Sequence, residues 1–320
     1  MDTNKWYDDF LEKLYKKFPK KLLLTKSLID LLEIEREAVY RRLRKDVLFS
    51  ANEIMTIASA WNISLDDITS VSNEQFSFQM RPMNYIDPSK DEVNFLKFVI
   101  KSISLLKNKP STEFMDICNK LPRQFLAGFP RLNQFYLFKW LYEYSIGNEP
   151  IPFSKVLISE EKLKVTHEYY KAIKLVPISS FIFDIKIFEL MVNDIKYFHS
   201  IYLITDEDLA LIKKDLVALL DYLFEIANKG CYPETQNKVE LYISQLNIET
   251  NYNYTMTPEI NICYVHVFEK FEIYSLNPAM VNNFISWMQL KKKTSTQISE
   301  VDEKGRIDFF MKQREIVDTL

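Results

Sequence analysis

Residues 28–44 read LIDLLEIEREAVYRRLR and decide how the first part of the chain is interpreted. Apolar residues recur in this stretch at helical spacing, which predicts two short helices separated by a turn near Ile34. Leu28 and Leu32 would face inward from the first helix, and Val39 and Leu43 from the second. The opposite face of the second helix would present long polar side chains: Arg36, Glu37, Tyr40, Arg41 and Arg44.

Further helices are predicted on both sides of this pair. Thr25 or Ser27 can act as the N-cap of the first helix, and Ser50 can cap the helix that follows the pair. Five short helices in residues 1–70 predict a small compact domain. They would cover about 6–18, 28–32, 35–45, 50–61 and 63–68.

With these helices in this order, residues 20–70 resemble the helix-turn-helix domains of the Cro and lambda-repressor type, the XRE-like class. The resemblance implies that helix 35–45 reads the major groove of double-stranded DNA and that the preceding helix begins near phosphates. The sequence departs from the family at Ile29, where a small alanine is usual, and at Glu33, where glycine normally makes the turn. The residues expected to contact DNA are Thr25, Lys26, Ser27, Glu35, Arg36, Glu37, Tyr40, Arg41, Arg44 and Lys45.

Charge favours this interpretation only locally. The whole chain has a formal net charge of −3, and residues 1–70 hold twelve basic and twelve acidic side chains. The basic residues cluster at 13–26 and 36–45, where each Lys or Arg on a phosphate would displace counterions and make binding depend on salt. The acidic residues at 30, 33, 35 and 37 would have to point away or accept hydrogen bonds from cytosine.

The composition argues against several classes of enzyme. The four glycines are far apart, which excludes a dinucleotide fingerprint, a phosphate-binding loop and a glycine-flanked nucleophile. The three cysteines and three histidines are scattered and form no pair at metal-ligand spacing. We therefore expect no enzymatic activity, no cofactor and no metal. The chain starts in an amphipathic pattern and has no long apolar run, so we expect a cytoplasmic protein without a signal peptide or a membrane span.

The remainder of the chain predicts a second, larger domain. Residues 71–90 interrupt the helical pattern and are interpreted as a connector, and 91–229 are predicted to be wholly helical. After Gly230 apolar and polar residues alternate, which predicts a small antiparallel sheet at about 238–275, followed by two terminal helices. The expected fold class is mostly α, an α+β chain with the five-helix domain at its N-terminus.

Residues 91–320 are more chain than a dimer contact needs, so we expect them to form a homodimer and to bind an effector, either a small molecule or a peptide. Aromatic segments at 125–144 and 181–202 could line an apolar groove, or they could simply fill a large core. The alternative function is a protein-interaction scaffold that does not bind DNA. In that case the basic residues of 1–70 would only be solvated.

Overall fold

The computed structural model describes residues 5–61, 63, 65, 68, 78–80, 88–106, 109, 111–144, 149–267 and 271–320. The chain divides into two compact units, residues 1–77 and residues 78–320, which are described separately below as unit 1 and unit 2. The helix expected at 63–68 and the connector expected at 71–90 fall largely outside the described residues.

Unit 1 contains four described helices around one apolar core: α1 (Lys5–Lys17), α2 (Lys21–Leu32), α3 (Arg36–Leu43) and α4 (Ala51–Trp61). Each helix contributes residues at helical spacing, so the inward positions predicted at Leu28, Val39 and Leu43 are confirmed. The buried residues of this core are Tyr7, Phe10, Leu11, Leu14, Leu24, Leu28, Val39, Leu43, Phe49, Ile57 and Ile68.

Of the two helix caps predicted in unit 1, the cap of α4 is confirmed and the cap of α2 is not. Ser50 caps α4 as predicted, because its Oγ accepts a hydrogen bond from the Glu53 amide at 3.3 Å and the Glu53 carboxylate accepts one from the Ser50 amide at 2.7 Å. The prediction that Thr25 or Ser27 caps α2 is wrong. The helix begins a full turn earlier, after Lys20, and has no side-chain cap there.

Unit 2 is built on one mixed sheet of eight described strands in the order β1-β7-β6-β5-β2-β3-β4-β8. Strands β2, β3 and β4 are parallel, and the other neighbours are antiparallel. The strands are β1 (Gln79–Met80), β2 (Glu113–Cys118), β3 (Ile178–Asp184), β4 (Lys238–Ser244), β5 (Tyr252–Met256), β6 (Asn261–Val267), β7 (Phe271–Ser275) and β8 (Thr296–Gln297).

Eight helices of unit 2 are described, and most of them connect the parallel strands. They are α5 (Pro88–Leu106), α6 (Arg123–Leu126), α7 (Pro130–Tyr144), α8 (Glu160–Ala172), α9 (Ile187–Ser200), α10 (Asp206–Lys229), α11 (Pro278–Lys293) and α12 (Glu303–Asp318). Helix α11 extends through Lys291–Lys293. Side-chain caps mark the starts of α10 at Thr205 and of α11 at Asn277.

The expected fold class is wrong: the chain is α/β, not a mostly α chain with a small terminal sheet. The region 91–229, expected to be wholly helical, contains β2 and β3, and these pair with the later strands in the centre of the sheet. The physical reason is burial on both faces. A parallel strand covered by helices on each side reads as a continuous apolar run, such as Phe181-Ile182-Phe183, which periodicity cannot separate from a buried helix.

The two faces of the sheet carry separate cores. Phe181, Phe183 and Leu241 face the larger core, which α6, α7, α9, α10 and α12 complete. Ile182 and Tyr254 face a smaller core closed by α11. The aromatic segments 125–144 and 181–202 contribute mainly to the larger core, since most of their phenylalanines are buried there: Phe125, Phe135, Phe138, Phe181, Phe183 and Phe198.

The outer edge of β4 pairs with the short β8 at Tyr242 and Ile243, and irregular chain covers it at Val239 and Leu241. The Val239 amide donates to the Gly230 carbonyl at 2.8 Å, and the Leu241 amide donates to Ser299 Oγ at 3.1 Å. The Ile298 amide in turn donates to the Leu241 carbonyl at 2.9 Å. Gly230 ends α10 in the left-handed region, with a φ of 66°, which brings the chain back along the strand.

A charged network fixes α11 to the sheet. Glu240 on β4 pairs with Lys292 of α11 and with Lys238, whose Nζ lies 2.6 Å from the carboxylate. Ser180 Oγ donates to the same carboxylate at 3.1 Å. Burial alone would raise the pKa of Glu240, but the hydrogen bonds from Lys238 and Lys292 outweigh it and lower this pKa to about 2. The ionised form of Glu240 is therefore the form that holds α11 in place.

We expect the substitution Glu240→Gln to weaken unit 2 at pH 7 and to have a smaller effect at pH 3. A lowered pKa contributes stability above the ordinary carboxyl range, and this stability is lost as pH falls through about 4.5 toward 2. The full shift is worth about 3 kcal/mol, and solvent screening reduces the expected contribution to about 1–2 kcal/mol. Hydrogen-exchange mass spectrometry of β4 peptides at both pH values measures the difference.

The exposed Glu149, which lies outside any helix or strand, provides the control Glu149→Gln. This variant should follow the wild type at both pH values. If Glu240→Gln and the wild type lose protection equally between pH 7 and pH 3, the charged network does not stabilise unit 2.

Candidate nucleic-acid interface

Helices α2 and α3 are joined by a turn of three residues, Glu33, Ile34 and Glu35. Glu33 lies in the left-handed region, with φ 53° and ψ 39°, and its amide donates to the Ile29 carbonyl at 2.9 Å. Glutamate thus adopts the conformation for which glycine is favoured. Ile29 is half-buried and packs against the core of unit 1, so both departures from the family pattern are compatible with a tight turn.

A polar contact beneath α3 fixes the position of this helix. The Tyr7 hydroxyl of α1 donates to the Arg42 carbonyl at 3.1 Å and accepts from the Phe49 amide at 3.1 Å. Tyr7 is 1% exposed, and burial raises the pKa of its hydroxyl. Because the phenol stays neutral, it can donate and accept at once. One side chain therefore connects α1 with the end of α3 and with the loop that precedes α4.

Arg42 serves the fold of unit 1, although it stands among the basic residues of α3. Its guanidinium forms a two-pronged pair with Glu53 of α4, with Nη2 to Oε1 at 2.8 Å and Nε to Oε2 at 3.1 Å. Burial alone would raise the pKa of Glu53, but the hydrogen bonds from Arg42 and Ser50 lower it. Arg42 is not among the residues expected to contact DNA, but its pairing with Glu53 is not predicted either, because this partner is eleven residues away and gives no local signal.

Arg36 and Arg41 are exposed on α3, and Arg36 contacts the half-buried Tyr40, four residues along the same helix. Arg36 Nη2 donates to the Tyr40 hydroxyl at 2.9 Å, and the guanidinium lies 5.4 Å from the centre of the Tyr40 ring. Arg41 is exposed, and no carboxylate of the described residues lies within 4.0 Å of it. These two arginines are therefore the cations of α3 that do not first have to give up a carboxylate partner.

The acidic residues of this surface are partly neutralised. Glu37 pairs with Arg44 at 2.9 Å, and Arg44 also pairs with Asp46 at 3.2 Å. Lys45, which follows α3, pairs with Asp8 of α1. Glu35 is exposed at the N-cap position of α3, where its side chain makes no capping hydrogen bond. Arg44 and Lys45 thus already form salt bridges with carboxylates, in contrast to Arg36 and Arg41.

The residues predicted near phosphates on α2 are placed differently from the expectation. Thr25 is buried, and its hydroxyl donates to the Lys21 carbonyl at 2.9 Å, so it offers no donor to a ligand. Lys26 is exposed and Ser27 is half-buried, and both lie in the second turn of the helix. The start of α2 is occupied instead by the exposed Lys20 and Lys21, which the prediction of DNA contacts did not include.

The arrangement has the chemistry needed to bind a polyanion. Guanidinium groups donate two parallel hydrogen bonds to a phosphate or to the edge of guanine, and a tyrosine hydroxyl adds a neutral donor. A helix fixed from below by Val39, Leu43 and the Tyr7 contact presents these groups with little loss of conformational freedom on binding.

We expect Glu33→Gly to stabilise unit 1 by about 1 kcal/mol, because glycine adopts the left-handed region without the steric cost of a Cβ atom. The control is Glu33→Ala, which removes the same charge and keeps the Cβ atom. Hydrogen exchange of the α2 and α3 amides in the full chain measures both variants. Equal protection in the glycine and alanine variants would show that the backbone of Glu33 carries no strain.

Comparison with known proteins adds no assignment to this geometry. No described helix is long and apolar enough to cross a membrane. Among the described residues, no group of three His, Cys, Asp or Glu side chains is arranged to hold a metal ion. No family model matches the chain, and no curated protein and no solved structure matches it either.

Proposed function

We propose that this protein is a transcriptional regulator that reads the major groove of double-stranded DNA with α3. The observation that carries the proposal is the pair of exposed arginines, Arg36 and Arg41, on a short helix. Contacts with the core, including the Tyr7 hydrogen bond, fix this helix, and a tight turn precedes it. This combination suits a helix-turn-helix domain of the XRE-like type, in which α2 would cross the phosphate backbone and α3 would lie in the major groove.

Each surface group has a defined role in this proposal. Arg36 and Arg41 contact base edges, and Tyr40 orients Arg36 through its hydroxyl. The exposed Lys20, Lys21 and Lys26 of α2 contact phosphates and set the dependence on salt. Arg42 remains paired with Glu53 and contacts no DNA in this proposal.

A single domain of this size reads few base pairs, so the regulator binds as a homodimer on two half-sites. Unit 2 supplies the dimer contact in this proposal, and sedimentation of the complex with DNA measures the stoichiometry. A complex with one chain on each DNA would contradict the dimer without contradicting the role of α3.

One observation favours the alternative, a protein-interaction module. Leu22 and Leu23, at the start of α2, are 70% and 53% exposed. An interface built on such leucines would be nearly insensitive to salt, whereas contacts to phosphates weaken steeply with salt. The salt dependence of binding therefore separates the two functions.

The test is binding to a pool of genomic DNA fragments at two salt concentrations, with the wild type and an Arg36→Ala/Arg41→Ala double variant. We expect selective enrichment by the wild type and a loss of about 30-fold or more in the double variant, since each base contact is worth about 1–3 kcal/mol. Arg314→Ala, in unit 2, is the control for the loss of a partly exposed arginine, which there pairs with Asp221.

Three results would contradict the proposal in different ways. Enrichment without sequence preference would leave only electrostatic contact with phosphates. A double variant that binds as well as the wild type would remove α3 from the interface. The absence of binding at either salt concentration would favour the protein-interaction module.

A further inference from the structure

A pocket of about 190 Å³ opens at the carboxyl end of β2, beside α11. Ile117 of β2 and Tyr252 of β5 are paired across the sheet and both line it. Trp287 and Lys291, one turn apart on α11, form another wall. Residues 247–249, in the segment that follows β4, complete the lining.

The pocket lies at the junction of the parallel and antiparallel parts of the sheet. β2 is parallel to β3 on one side and antiparallel to β5 on the other, so Tyr252 at the start of β5 lies beside Ile117 near the carboxyl end of β2. The segment 247–249, which precedes β5, lines the pocket at this junction.

The walls of the pocket combine polar, aliphatic and aromatic side chains. Ile117 and Ile248 are 1% and 6% exposed. The rings of Tyr252 and Trp287 meet edge to face, with centroids 4.9 Å apart. Flat, stiff aromatic walls of this kind suit an apolar or aromatic group of a ligand.

Two opposite charges line the same pocket without neutralising each other. The Nζ atom of Lys291 lies 5.9 Å from the centre of the Trp287 ring, and no described carboxylate lies within 4.0 Å of it. No cation in the described part of the chain lies within 4.0 Å of the Glu249 carboxylate. The main chain at Glu249 is held in place, because Asn119 Nδ2 donates to its carbonyl at 2.8 Å. Burial and the Glu249 carboxylate both raise the pKa of Tyr252, which keeps its hydroxyl neutral.

We propose that this pocket binds a free amino acid with an apolar or aromatic side chain. Its ammonium group pairs with Glu249, its carboxylate pairs with Lys291, and its side chain packs against Tyr252 and Trp287. The pocket is smaller than the roughly 300–1,000 Å³ of sites for drug-sized ligands, which favours a molecule of this size. This inference concerns unit 2 and does not depend on DNA binding by α3.

The test uses the full chain and isothermal titration calorimetry with four probes. L-phenylalanine and L-leucine carry both charges, 3-phenylpropionate lacks the ammonium group, and 2-phenylethylamine lacks the carboxylate. We expect at least one of the two amino acids to bind, and L-phenylalanine to bind about tenfold or more tightly than either of its analogues, since each missing charge removes one charge-assisted contact. The titration contains no DNA, so its failure leaves the proposed function untouched.

Two variants test which residue binds the ammonium group of the ligand and which binds its carboxylate. Glu249→Gln should erase the preference for L-phenylalanine over 3-phenylpropionate, and Lys291→Met should erase the preference over 2-phenylethylamine. Lys293→Met, at an exposed position of the same helix, is the matched control and should keep both preferences. Circular dichroism confirms that each variant is folded.

The proposal is overturned if neither amino acid binds at millimolar concentration, or if the wild type binds both analogues as tightly as L-phenylalanine. It is also overturned if Lys293→Met loses the same preference as Lys291→Met.

Discussion

The polar contact beneath α3 is the constraint on which the geometry of unit 1 depends. Apolar packing of Val39 and Leu43 is not directional and would allow α3 to rotate or slide. The Tyr7 hydroxyl removes that freedom, since it satisfies the Arg42 carbonyl and the Phe49 amide at once. The pair of Arg42 with Glu53 adds a second fixed point on α4. The outward arginines of α3 owe their orientation to these buried contacts.

The helices of unit 1 could be predicted from the sequence because their signals are local. The apolar spacing that ends in Val39 and Leu43 determines which face of α3 is buried. Ser50, with Glu53 three residues later, marks the start of α4 in the same way. The start of α2 was missed because Lys20 makes no side-chain cap, so the sequence offers no local marker there.

The sheet of unit 2 could not be predicted to the same extent because its strands are defined by distant partners. β3 has the apolar pattern of a buried helix, because Phe181, Ile182 and Phe183 are all buried, two against one core and one against the other. The same limit applies in part to the site. Helical spacing leaves Arg42 off the outward face of α3, but its pairing with the distant Glu53 could not be predicted from the local sequence.

The covered edge of β4 also bears on the behaviour of the protein at high concentration. An open edge strand offers a row of unpaired amides and carbonyls on which a strand of another molecule can form, and this is a common route to aggregation. At β4 those groups are used by Gly230, Ile298 and Ser299 in irregular chain and by β8, which forms the edge of the sheet. β8 is only two residues long, and a very short edge strand offers little backbone on which another strand can form. The side of the sheet where the parallel strands end is therefore poorly suited to the addition of strands from neighbouring molecules.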